Sequence, residues 1–188
     1  TFYKSQNDFE TALTGVYATF RGLFSTSPVL YMTELTTDNT EIQWSSPSTD
    51  EMQMDQNAVT STNGFVQSVW SNCLYTISRS NAILNRIDAV NFDQTVKNRI
   101  KGEAKFLRAY AYFYLVRLYG NVPIITQTFS SPAQVSSADL ALKPAADVYK
   151  AILADLTEAE TLLPTTVNTD KTRASAVTVK ALLGKVYL

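Results

Sequence analysis

Residues 94–119 constrain the fold more than any other part of this sequence. In the second half of this stretch, residues 104–116, apolar side chains occur on every side of a predicted helix. Gly120 and Pro123 follow, and they favour the end of a helix, because glycine accepts the left-handed cap and proline blocks continuation. A helix that is apolar all round is expected to be buried on more than one side.

Arg108 is a charged residue within this apolar stretch. A buried guanidinium must be paired, so we expect a partner carboxylate on another helix. The alternative is that Arg108 lays its apolar stem along the helix and reaches the surface with its charged head.

Four more segments carry apolar residues at helical spacing: residues 7–24, 64–89, 144–163 and a last one from 174 or 175 to the end. Cys73 falls on an apolar face and is expected to be a small buried hydrophobe, and Asp93 is expected to cap the helix that follows it. Residues 25–62 and 124–143 are polar, and we interpret them as long loops, the first with a short helix near residues 50–57.

Five helices joined as antiparallel hairpins predict an all-α fold, a tetratricopeptide-like α-α superhelix with a long loop between its first two helices. The expected organisation is one domain over residues 1–188. The last helix is strongly apolar up to Leu188 and lacks a cap, which favours a chain that is the front part of a longer protein.

Several function classes lack the residues they need. The chain has no histidine and one cysteine, which removes the usual general base, the usual zinc ligand and the Ser-His-Asp triad. Its six glycines form no phosphate-binding motif. The net charge of −1 comes without a basic patch, so nucleic acid is not an expected partner. We expect no enzyme activity, no metal and no cofactor.

Residues 102–125 read Gly-Glu-Ala-Lys-Phe-Leu-Arg-Ala-Tyr-Ala-Tyr-Phe-Tyr-Leu-Val-Arg-Leu-Tyr-Gly-Asn-Val-Pro-Ile-Ile. This run resembles the signature of the SusD/RagB family. Weaker matches to other motifs of the family occur along the chain in the same order as in the family, at residues 12–17, 35–39, 70–84, 148–164 and 173–188. The sequence departs from the family pattern at Lys143 and Gly184. Four residues in these motifs are expected to support the fold: Trp70, Asn81, Glu103 and Arg108.

The resemblance implies a non-catalytic cell-surface glycan-binding protein of Bacteroidetes-type bacteria. Such a protein would deliver oligosaccharides to a TonB-dependent, SusC-like transporter of the outer membrane. It would be a surface-exposed lipoprotein of that membrane, held by an N-terminal lipid anchor that is not in this chain. Cys73 cannot stand in for the lipid-bearing cysteine of that class.

The first long loop holds the candidate glycan-binding residues. Sugar binding combines an aromatic ring, which covers the apolar face of a pyranose, with planar polar groups that take the hydroxyls. The loop offers Trp44 with Gln43, Asp38 and Asn39, and Tyr31 is a further aromatic candidate. Trp44 would equally serve to anchor the loop onto the helices. Asp38 and Asn39 fall in a family motif, and for them the role of shaping the loop is favoured over ligand contact.

Two alternatives remain open on the sequence. A tetratricopeptide scaffold that binds a peptide would line its groove with polar side chains such as Asn72, Arg79 and Asn81. A glycoside hydrolase would need two carboxylates across a cleft, and Asp50, Glu51 and Asp55 cluster in the first loop.

Overall fold

The computed structural model describes residues 2–25, 28–43, 45–165 and 172–188. Within these ranges the chain is helical and forms no strand; Val122 and Lys143 make one isolated bridge. The long helices are α1 (Gln6–Ser25), α4 (Gly64–Leu84), α5 (Gln94–Tyr119), α7 (Ala145–Leu162) and α8 (Ala176–Tyr187), and the short ones are α2 (Pro28–Leu30), α3 (Thr49–Asp55) and α6 (Pro132–Ser137). A π-helical turn (Tyr31–Leu35) continues α2, and a 3₁₀ turn (Ile87–Ala89) follows α4.

The long helices stack in sequence order, as the all-α prediction required. Helix α1 packs on α4, α4 on α5, α5 on α7, and α7 on α8. Helix α5 touches α1, α4, α7 and α8, which explains why apolar side chains occur all round it. The expected burial of α5 on more than one side is therefore confirmed.

The ends of α5 follow the expected chemistry. The Asp93 side chain accepts a hydrogen bond from the Val96 amide at 2.9 Å and caps the first turn. At the other end, Gly120 takes a φ of 73°, a left-handed conformation that glycine adopts without steric cost. The apolar period and these two signals together set both predicted bounds of the helix.

Arg108 is paired inside the stack, and the prediction of a partner carboxylate is confirmed. Its guanidinium donates two hydrogen bonds of 2.7 Å to Asp155 on α7. A third, also 2.7 Å, reaches the side-chain oxygen of Asn81 on α4. The surface alternative is wrong, because Arg108 is only 8% exposed. This buried group joins three helices.

Cys73 lies in the core with no exposed surface, as expected. Burial raises the pKa of its thiol from 9.0 to about 12. The thiol is therefore held in its neutral form, which is the form a small packed hydrophobe needs.

Three elements differ from the prediction. The first polar segment was expected to hold one short helix, which is α3, but it also holds α2 with its π-helical turn. The second polar segment holds α6, which Ser131 caps and Pro132 begins. The helix predicted over residues 64–89 ends at Leu84, and the 3₁₀ turn that follows keeps Ile87 buried, so the apolar period outlasts the α-helix.

Candidate functional site

The segment between α1 and α4 forms a polar pocket of about 550 Å³. Two of the predicted glycan-binding residues, Asp38 and Asn39, line it. The other lining residues come from the same loop and from the end of α3: Thr37, Thr40, Glu41, Asp55 and Asn57.

Hydrogen bonds inside the loop give this pocket its shape. The hydroxyls of Thr37 and Thr40 both donate to the carbonyl oxygen of Glu34, at 2.7 and 2.8 Å. The backbone amide of Ile42 donates to Asp55 Oδ1 at 3.2 Å. The loop is therefore tied to the π-helical turn on one side and to α3 on the other.

Two of the other predicted residues, Gln43 and Tyr31, do not line the pocket. Gln43 donates from its side-chain amide to the Glu41 carboxylate, beside the pocket. Tyr31 packs edge-on against Phe65 of α4, with ring centroids 4.7 Å apart, so its ring supports the π-helical turn. Trp44 lies outside the described residues.

Most of the pocket lining could not be predicted from the sequence. Asp55 is expected there only as a candidate catalytic carboxylate, and Thr37, Thr40, Glu41 and Asn57 are not among the predicted binding residues. Asn57 carries one structural signal, a positive φ of 52°, which is a conformation that asparagine tolerates better than most residues. The spacing of residues along the sequence does not show that Asn57 lies close to Asp38 in the folded chain.

The pocket suits a ligand rich in hydroxyl groups. Its carboxylates accept hydrogen bonds from hydroxyls, and so do its threonine hydroxyls, whose own protons go to Glu34, while its asparagine amides donate as well as accept. These groups match the alternating donors and acceptors of a sugar ring. Among the described residues, no three side chains of the metal-ligating types come together as a metal site.

The hydrolase alternative loses two of its three carboxylates to structural roles. Asp50 accepts a hydrogen bond from the Gly64 amide at 3.0 Å, at the start of α4. Glu51 accepts from the Ser48 amide at 2.7 Å and completes the capping box of α3. Asp55 is left as the one carboxylate of this group in the pocket lining.

The residues named for a peptide groove make contacts within the chain. Asn72 donates to the Ser68 carbonyl one turn earlier in α4, at 3.0 Å. Arg79 donates to the Gly15 carbonyl of α1 at 3.1 Å. Asn81 is fully buried, and besides Arg108 it contacts the Ile125 carbonyl at 2.8 Å.

Glu103 and Trp70 make contacts that join elements of the stack. The Glu103 carboxylate has no exposed surface, and it accepts hydrogen bonds of 2.7 Å from Tyr17 on α1 and from Arg99. Burial raises the pKa of Tyr17 far above its usual range, and the Glu103 charge raises it further. Trp70 packs edge-on against Tyr119 of α5, with centroids 5.0 Å apart.

Stacked antiparallel helix pairs of this kind define the tetratricopeptide-like class of helical scaffold. A family model, SusD-like, described as starch-binding associating with outer membrane, matches residues 2–188. The chain therefore belongs to the SusD-like family, which confirms the resemblance of residues 102–125.

Individual relatives agree with the family. The chain is 28% identical to SusD-like protein P2 of Formosa agariphila, over 100% of this chain and 37% of that protein. A laminarin-binding SusD-like protein has a similar structure, with a TM-score of 0.84, 29% identity, and coverage of 98% of this chain and 40% of that one.

A sugar-binding protein from Bacteroides vulgatus, described as putative, matches with a TM-score of 0.79 and 27% identity, over 98% of this chain and 42% of that one. The chain thus spans about two fifths of the length of these relatives. Within the described ranges, none of the helices has both the length and the apolar character needed to cross a membrane.

Proposed function

We propose that this chain belongs to a non-catalytic, cell-surface glycan-binding protein that delivers oligosaccharides to a TonB-dependent, SusC-like outer-membrane transporter. The observation that carries the proposal is the polar pocket of the first long loop, in which Asp38 and Asn39 lie together. A relative of the same fold is described as laminarin-binding, which supports an oligosaccharide as the ligand class.

The proposed binding mode combines this pocket with an aromatic ring. The lining residues that the structure describes supply hydrogen bonds but no aromatic surface. Trp44 follows Gln43 in the same loop and supplies the ring that covers a pyranose face. Gln43 holds the loop next to Trp44 by its contact with Glu41. Tyr31 ranks below Trp44 as an aromatic candidate, because its ring packs on Phe65.

The protein acts without catalysis in this proposal. Hydrolysis of a glycosidic bond needs an acid and a second carboxylate on opposite sides of the bond. Asp50 and Glu51 are engaged in helix caps, which leaves them poorly placed for either role. Of the carboxylates in the pocket, Asp55 accepts from the Ile42 amide and Glu41 from Gln43, so both hold the loop. The family description of an outer-membrane association supports a location at that membrane, with a lipid anchor as the proposed means of attachment.

Calorimetric titration with laminarin oligosaccharides tests the glycan role. Trp44→Ala should weaken binding by about tenfold: a ring stacked on a nucleic-acid base contributes roughly 1–3 kcal/mol, and we expect a ring stacked on a pyranose to lie at the lower end. Tyr75→Ala is the matched control, because Tyr75 is an aromatic residue that is 61% exposed. It lies on α4, about 15 Å along the helix from Phe65, the residue that packs on Tyr31 beside the loop. It should leave the affinity unchanged.

Two outcomes would contradict the assignment. Equal affinity of Trp44→Ala and the unaltered chain would remove Trp44 from the site. No binding by the unaltered chain to any oligosaccharide of a glycan array, neutral or charged, would overturn the glycan-binding role itself.

A further inference from the structure

Helix α3 is short and has one buried residue among its seven, yet it carries one wall of the polar pocket. Asp55 is its last residue, and Asn57 follows two residues later. A seven-residue helix has little stability of its own, so its position must come from contacts with the rest of the chain. Met54 supplies an apolar anchor, since it is 1% exposed.

Asn63 supplies a polar anchor, beside the hydrogen bond that Asp50 accepts from the Gly64 amide. This residue is fully buried and directly precedes α4. Its amide nitrogen donates two hydrogen bonds of 3.0 Å to α3, one to the Asp50 carbonyl and one to Gln53 Oε1. Its amide oxygen accepts from the Phe65 amide at 3.0 Å and caps α4. One side chain thus joins the two helices.

We propose that Asn63 is a positioning residue of the polar pocket: its buried amide holds α3 against the start of α4, and α3 in turn holds the loop at residues 37–42. The second link is the hydrogen bond of 3.2 Å from the Ile42 amide to Asp55. Asn63 itself does not line the pocket, so it acts on the ligand only through α3. This inference rests on the proposed glycan-binding function.

The two ends of the Asn63 amide have separate tasks, which makes a selective variant available. In Asn63→Asp the oxygen that accepts from Phe65 remains, and aspartate is as good a cap as asparagine. The donor nitrogen becomes an oxygen that faces two acceptors, the Asp50 carbonyl and Gln53 Oε1. The Asp50 backbone carbonyl cannot become a donor, so it and the new oxygen repel. Helix α3 should be held less firmly, by Met54 and the Asp50–Gly64 hydrogen bond, while α4 stays capped.

Hydrogen exchange measures the structural half of the proposal without any ligand. In Asn63→Asp, amides of residues 36–57 should exchange faster, while amides of α5 and α7 should exchange as before. Gln53→Met is a second variant, which removes one of the two acceptors of Asn63 and also the acceptor of the Thr60 hydroxyl. It introduces no charge, so it should give a smaller increase in the same segment.

The ligand half is measured by titration with the oligosaccharide that the unaltered chain binds. A pocket that is formed only part of the time binds more weakly in proportion to the fraction formed. We expect about tenfold weaker binding for Asn63→Asp, which corresponds to about 1.4 kcal/mol. Asp93→Ala is the control. It removes the cap at the start of α5, whereas the other end of this 26-residue helix contacts the start of α4 through Tyr119. It should leave the amide exchange of residues 36–57 and the glycan affinity unchanged.

The outcomes separate this inference from the proposed function. Unchanged exchange at residues 36–57 in Asn63→Asp would show that Asn63 does not hold α3. Faster exchange with unchanged affinity would show that α3 does not position the ligand. Absence of glycan binding by the unaltered chain would overturn the proposed function and the positioning role with it, whatever the exchange data show.

Discussion

The ion pair between Arg108 and Asp155 lies inside the helix stack, with both side chains 10% exposed. Asp155 also contacts Lys105 at 3.2 Å, and Lys105 contacts Glu158 at 3.0 Å. Asp155 and Glu158 on α7 thus form one cluster of ion pairs with Arg108 and Lys105 on α5. Asp155 is buried in this cluster, whereas the Glu158 side chain is 61% exposed. The chain thus offers a buried and an exposed member of the same cluster for comparison.

Asp155→Ala should lower the free energy of unfolding by about 3–5 kcal/mol, because it leaves the buried Arg108 guanidinium without its counter-charge. Glu158→Ala removes an exposed partner of the same cluster and should cost less than about 1 kcal/mol. Urea unfolding of the two variants checks the difference. Equal losses would mean that Arg108 finds water or another partner when Asp155 is absent.

Individual contacts of this kind were only partly predictable. A charge inside an apolar stretch indicates that a partner exists, so the need of Arg108 for a carboxylate followed from its position. The identity of Asp155 did not follow, because it lies 47 residues away on a helix whose rotation the sequence leaves open. Asn81 likewise contacts Arg108 across 27 residues.

At the scale of elements, the approach of α5 to the end of α7 depends on Gly102. A methyl group added at Gly102 would lie 2.7 Å from Leu163 Cγ and 3.2 Å from Leu162 Cβ. Leu163 is 4% exposed, so it has little room to move away. The missing side chain at residue 102 lets the two helices come close.

Gly102→Ala should therefore destabilise the chain by about 1–3 kcal/mol, the usual cost of overpacking a tight contact. Gly184→Ala is the matched control within α8, where nothing lies within 4 Å of the added carbon. That variant should be neutral or gain up to about 1 kcal/mol from helix propensity. Thermal unfolding distinguishes them; a neutral Gly102→Ala would show that α5 and α7 can separate without loss.

Long elements were predicted well and the pocket was not, for a physical reason. Apolar period and caps are local signals, and they placed α5 over its full length. The pocket depends on contacts between Ile42 and Asp55 and between Asn63 and Asp50, each 13 residues apart and carried by single hydrogen bonds. The sequence of a polar loop does not show which of its residues will contact each other in the folded chain.

At the scale of the whole molecule, the core holds several acidic hydroxyl and thiol groups in their neutral form. Burial raises the pKa of Tyr112 from 10.0 to about 12 and that of Cys73 from 9.0 to about 12. Burial also raises the pKa of Tyr114 to about 12 and that of Tyr119 further. In the unfolded chain these groups ionise at their ordinary values.

These raised pKa values predict that the chain loses stability in alkali. Above about pH 9 the unfolded chain gives up protons that the folded chain retains, so the free energy of unfolding falls as pH rises towards about 12. Below about pH 9 the contribution is fully present. Each fully buried group adds up to about 1.4 kcal/mol per pH unit, which gives Tyr112 and Cys73 together a loss on the order of 3–4 kcal/mol by about pH 11.

Urea unfolding from about pH 8 to about pH 11 measures this slope, and Tyr112→Phe assigns part of it. The variant loses the hydroxyl that donates to the Ile125 carbonyl and accepts from the Ile125 amide, so it should be less stable at every pH. Its stability should nevertheless fall less steeply with pH, because one ionising group is gone. Tyr75→Phe changes an exposed ring and should leave the slope as it is. A Tyr112→Phe slope equal to that of the unaltered chain would mean that Tyr112 ionises in the folded chain as readily as in the unfolded one, and that its burial does not protect it.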